Sequence, residues 1–205
     1  MLKSGRRKDV QDNNNYIDKI GRITHICPKC GNLYAEDLKL SVDCNIYNCC
    51  KQVLDSYKLS TPSIEKICTS CDSKCIQLDN RMGIIVKALF DKGYKVESCC
   101  EGHAYIKEFI PVYDFPQITI LGNVKALIPS AYYNKFNIDS NFDKTIITCN
   151  SDLQCPCVCL DRFNDYKEEM LEILSSMVKS LPVCPFTYDT KESSYKCGCD
   201  VCCCG

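Results

Sequence analysis

The sequence predicts an α+β fold: a small cysteine-ordered module, then a four-stranded sheet carrying two packed helices, then a cysteine-rich C-terminal tail. Three observations lead there. Twenty of the 205 residues are cysteine, and they come in clusters. Two clusters are C-x-x-C units, at Cys27/Cys30 and Cys68/Cys71. Between residues 78 and 181 the hydrophobic period runs from helix to strand and back to helix.

In chain order, residues 1–20 read as a polar arm. Its basic stretch, KSGRRK, is followed by Asp9, Asp12 and three asparagines, which suits a solvated segment better than a nucleic-acid tail. Residues 21–77 hold the first eight cysteines and form the module. It is expected to contain a short strand over 23–27, a second over 32–40, and a short helix over 51–59 that ends before Pro62. Residues 78–181 form the α+β domain. Asp79 or Asn80 caps a helix whose apolar face is Met82, Ile85, Val86, Leu89 and Phe90, and Gly93 stands where a helix ends in a left-handed glycine. Strands are expected over 94–98, 105–110, 117–121 and 144–149, with 111–116 a loop. A long helix over 161–181 presents Met170, Leu171, Ile173, Leu174, Met177 and Val178 on one side. Residues 182–205 are the tail, with five cysteines in the last nine positions.

Lys and Arg number 25 against 26 Asp and Glu, a net charge of -1, so there is no broad basic face for non-specific nucleic-acid binding. No apolar run reaches the length of about 18 residues that spans a bilayer, and the N-terminal stretch lacks the apolar segment of a secretory leader. The expectation is a cytoplasmic protein. There, reducing conditions disfavour disulfides and thiolates are used for metal. A disulfide-rich exported protein is the alternative.

The two C-x-x-C knuckles can set four thiolates tetrahedrally around one zinc ion, the pattern of a zinc ribbon. The ligands would be Cys27, Cys30, Cys68 and Cys71, with Cys75 as the competitor for a place. The long intervening segment costs little entropy. A four-thiolate site has no open position, so it staples the module or shapes a recognition knuckle.

The second constellation is Cys99-Cys100-Glu101-Gly102-His103, at the end of a predicted strand. Gly102 permits a tight turn, and Cys100 and His103 are spaced to converge. Three readings stand side by side. Cys99 or Cys100 with His103 ligate a metal completed by other thiols; or Cys100 and His103 form an activated nucleophile pair; or Cys99 faces the core and His103 closes the loop. Further along, Cys155 and Cys157, and Cys199 and Cys202, lie in dense thiol runs that suit zinc or copper(I). Phosphate-binding glycine loops, H-E-x-x-H and the zinc-deaminase signature are absent from the sequence. His25 reads as a strand residue, and Glu168, Glu169 and Glu172 as a solvated helix face.

The stretch IIVKALFDKGYKVESCCEGHAY, with the earlier CPKCG, resembles small uncharacterised proteins of Gram-positive bacteria and their phages. In those a CPxCG zinc-ribbon-like start is followed by a helix and a KGYxTxxCCSGH motif. The match rests on Cys27, Cys30, Gly93, Tyr94, Cys99, Cys100, Gly102 and His103; Glu101 stands where Ser is usual. The resemblance implies no established activity and has no counterpart to the tail. Small size, thiolate clusters with closed spacing and no recognisable catalytic set point to a non-enzymatic zinc protein that binds a macromolecule, and the resemblance makes a phage-encoded inhibitor of a host defence or regulatory protein the natural specialisation. Its setting would be the host cytoplasm. The alternatives are an enzyme built on Cys100 and His103, and a nucleic-acid-binding zinc ribbon.

Overall fold

The computed structural model describes residues 17–42, 48–49, 52–53, 65–107, 110–150, 160–186 and 196–197. The chain begins with strands β1 (Ile17–Ile26), β2 (Leu33–Val42), β3 (Asn48–Cys49), β4 (Gln52–Val53) and β5 (Ile76–Asp79), then helix α1 (Asn80–Asp91). It continues through β6 (Val96–Cys100), β7 (Ala104–Lys107), β8 (Ile110–Tyr113) and β9 (Gln117–Leu121). Two short 3₁₀ turns lead to β10 (Phe136–Ser140), β11 (Lys144–Cys149), helix α2 (Leu160–Ser180) and β12 (Lys196–Cys197).

Two sheets organise these elements. In the first, β1 is central and antiparallel to both β2 and β5, so Ile23 lies opposite Glu36 on one side and Asp79 on the other. The second sheet has the order β10-β11-β9-β6, antiparallel throughout, and β12 adds two residues in parallel at the β6 edge. β3 with β4, and β7 with β8, are separate two-stranded ribbons.

One buried cluster joins the parts. Ile26 and Leu78 of the first sheet pack with Met82, Val86 and Leu89 of α1, Leu171, Leu174 and Met177 of α2, and Ile118, Ile120 and Ile147 of the second sheet. Each such side chain contributes about 1.5–3 kcal/mol by leaving water. Close approaches lock the geometry. A Cβ on Gly83 of α1 would stand 2.4 Å from the Thr24 side chain of β1, and one on Gly31 would stand 2.5 Å from the Phe90 ring. The helix ends are tied as well. Gly93 (φ +85°) closes α1 with its amide on the Phe90 carbonyl, while the Tyr94 amide reaches Leu89. Lys92 donates to the Lys179 and Leu181 carbonyls around the end of α2, and Tyr94 donates to Pro182 at 3.1 Å.

Several expected elements differ. The 105–110 strand does not join the main sheet; its chain turns back as the β7–β8 ribbon, and Pro111 sits inside β8, where an edge strand tolerates it. The fourth full strand of that sheet is β10, a segment not expected to be a strand. β1 starts at Ile17, inside the expected arm, and the boundary at 77 falls inside β5. Gln52 and Val53, expected in a helix, are extended and paired. Among the described residues no helix is long and apolar enough to cross a membrane.

Candidate metal centre

The first centre grows from two equivalent turns. After β1, Cys27 accepts the Gly31 amide (2.8 Å) and donates to Asn32 (2.9 Å) through its backbone. The second turn repeats this: Cys68 accepts the Asp72 amide (3.0 Å) and donates to Ser73 (2.9 Å). In each, the residue after the second cysteine is left-handed, Gly31 at φ +72° and Asp72 at φ +55°. Aspartate is among the side chains that tolerate that conformation. An Asn32–Ser70 side-chain bond of 2.7 Å ties one turn to the other.

These turns bring Cys27, Cys30, Cys68 and Cys71 together, with all four sulfurs within 4.8 Å of one another. Cys27 and Cys71 are 3.4 Å apart, Cys30 and Cys68 3.5 Å, and Cys30 and Cys71 3.8 Å. This tetrad is a group that could hold a metal ion. Cys75, the expected competitor, packs in the same small cluster but outside that group. Burial first, then the neighbouring sulfurs, push its thiol up to about 11.

The tetrad divides its charge unevenly. The Tyr34 hydroxyl donates to Cys68 Sγ at 3.2 Å, and that bond leads in pulling the Cys68 thiol down to about 6. At Cys30 the Asn32 amide pulls down, but burial and hydrogen bonding among the sulfurs outweigh it and push the thiol up to about 12. Cys71 is lowered, chiefly by the Ser73 hydroxyl. Cys68 therefore ionises early and Cys30 late, and two thiolates so close would repel one another. A bound cation removes that repulsion.

The second centre forms where β6 ends. Gly102 (φ +88°) makes the turn, and a Cβ there would meet the Asp114 carbonyl at 2.6 Å. Paired backbone bonds between His103 and Asp114, 3.0 and 2.8 Å, fix the start of the β7–β8 ribbon. Cys100 is 1% exposed, and its sulfur accepts the Gly102 amide at 3.4 Å. Asp79, the last residue of β5, accepts the Glu101 amide at 3.1 Å and stands 3.6 Å from His103 Nε2. The ligand atoms of Asp79, Cys100 and His103 all lie within 4.8 Å of one another. Glu101 in turn accepts the Arg81 amide at 3.3 Å, at the start of α1, and faces Lys167 of α2 at 3.8 Å. Burial first, and then Asp79, raise its carboxyl above the usual range.

Cys99 is not in this group; it is 4% exposed and belongs to the main hydrophobic cluster. Cys149 also faces that cluster, and burial pushes its thiol up to about 12. Cys155, Cys157, Cys199 and Cys202 lie outside the described residues. Cys27, Cys30, Cys68, Cys71, Cys75 and Cys149 are not joined in disulfides. Sequence reasoning missed Tyr34 and took Asp79 only as a helix cap. Tyr34 is 34 positions from Cys68, so no local pattern links them.

Compared with protein-family models, with curated proteins and with solved structures, the chain gives no match.

Proposed function

We propose that the chain is a zinc protein whose Cys27, Cys30, Cys68 and Cys71 centre is a closed structural site of zinc-ribbon type, and that it works by binding a macromolecular partner. The observation that carries this is the size of the tetrad. Four sulfurs at about 2.3 Å from one ion lie about 3.8 Å apart along the tetrahedron's edges. The sulfur separations of 3.4, 3.5 and 3.8 Å fall on or just inside that edge. Thiolate ligands and this geometry favour zinc over harder divalent ions. With four protein ligands the shell has no vacancy for substrate, so this centre supports shape rather than turnover.

A protein is favoured over a nucleic acid as the partner, because a net charge of -1 gives no overall attraction to phosphates. The resemblance to phage-associated proteins makes a host defence or regulatory protein the partner of choice. Zinc analysis of reduced, purified full-length chain tests the first half: Cys68→Ser should lose about one ion per chain and its thermal stability together. An unchanged zinc content in that variant overturns the assignment. The second half is tested by tagging the chain in a Gram-positive host. One stoichiometric protein should co-purify through a nuclease and high-salt wash; recovery of nucleic acid alone would reverse the choice of partner.

A further inference from the structure

We propose that Asp79, Cys100 and His103 form a second metal site, one that holds a borderline divalent ion such as zinc or cobalt by three protein ligands and leaves a fourth position to water or a small anion. The three side chains arrive from three places: the β5–α1 junction, the last residue of β6, and the turn before β7. Their ligand atoms lie within 4.8 Å of one another. The 3.6 Å between His103 Nε2 and Asp79 Oδ2 is longer than a hydrogen bond. Nitrogen and oxygen bound to one ion at about 2.0–2.1 Å would sit about 3.3 Å apart on a tetrahedron, so this pair needs to close by only a few tenths of an ångström.

The surroundings hold each ligand in place before any ion arrives. The Glu101 amide fixes the Asp79 carboxylate, and the Gly102 amide donates to Cys100 Sγ and orients it. Gly102 cannot be replaced without a clash against Asp114, which ties the Cys100–His103 separation to the turn itself. One sulfur, one imidazole and one carboxylate suit zinc and its neighbours rather than calcium or magnesium. Cys100 is buried, whereas the His103 and Asp79 side chains are 24% and 16% exposed. Three protein ligands with a fourth position left to water is the arrangement in which zinc lowers the pKa of its bound water towards neutrality.

This site shares no ligand with the tetrad, so the two assignments fail separately. Cobalt titration of the reduced, full-length chain tests it, comparing the unsubstituted protein with His103→Gln and Asp79→Asn. Each variant should bind about one cobalt fewer per chain and lose the ligand-field bands that shift on adding azide. The four-thiolate charge-transfer bands and cooperative unfolding should persist in both. With one thiolate in place of four, the lost ion should carry about a quarter of the tetrad's charge-transfer intensity. Equal stoichiometry and spectra in all three proteins would overturn the site. Cobalt bands insensitive to azide in the unsubstituted protein would overturn the open position, since a further protein ligand would then close the shell. A Cys68→Ser arm keeps the proposals apart, because it removes the four-thiolate bands alone.

Discussion

Tyr34 supplies the tetrad with a donor that carries no thiol of its own. Its hydroxyl reaches Cys68 Sγ at 3.2 Å and is itself held by the Thr69 amide at 3.1 Å. A hydrogen bond to a ligating sulfur stabilises its thiolate and orients it. Tyr34→Phe should therefore weaken zinc binding by about tenfold while leaving the fold intact, as read by competition with a chromophoric chelator. Cys75 gives the opposite expectation. Its thiol is buried and pushed up to about 11, so it packs as a small apolar group. Cys75→Ala should retain the zinc content of the parent chain, and a loss of one ion would show that it ligates. The four tetrad residues were legible in the sequence because a C-x-x-C turn is local chemistry. Tyr34 was not, since its pairing with Cys68 depends on how β2 lies beside the second turn.

At the scale of elements, the start of α1 shows how a tertiary contact replaces a local one. Asp79 occupies the cap position without a side-chain bond to its own helix. The orphan Arg81 amide is met instead by Glu101, from beyond the end of β6. The Glu101 amide returns the contact to Asp79, so the turn after β6 and the helix start hold each other. Gly102 keeps that turn in shape. Gly102→Ala should cost about 1–3 kcal/mol in denaturant unfolding, through its positive φ and the contact with Asp114. An effect near zero would mean the turn relaxes freely. Both helices could be read from the sequence, because the 3.6-residue period repeats over enough turns to stand out. The Gly93 stop was equally plain. β10 was missed because FNIDS has only two inward side chains, Phe136 and Ile138, and its pairing with β11 is set by a turn rather than by composition. The 105–110 segment misled because it does hold extended residues, but their partner is the neighbouring β8 and not the main sheet.

Across the whole molecule, metal and proton compete for the same sulfurs. With no cation between them, Cys30 keeps its proton to about 12 while Cys68 releases its own near 6. Binding an ion at neutral pH therefore expels protons, and by linkage a fall in pH weakens binding. Zinc release, followed with a fluorescent indicator, should rise steadily as pH drops from neutrality towards 5. A flat response over that range would mean that the thiols are not the ligands. The division into module and domain that composition suggested sits differently on the folded chain, for β5 crosses the boundary and Ile26 and Leu78 enter the common cluster.

The seat of Phe90 on Gly31 bears on how this chain could have been assembled or taken apart. A knuckle that turned only on itself would be a portable cassette, free to be grafted onto other proteins. Here its backbone is moulded to a ring borne by α1, with no room for even a methyl group between them. Excised alone, the knuckle would expose that seat to water and lose half of β5. Transplanted, it would fit only beside a helix that offers an aromatic ring at the same height.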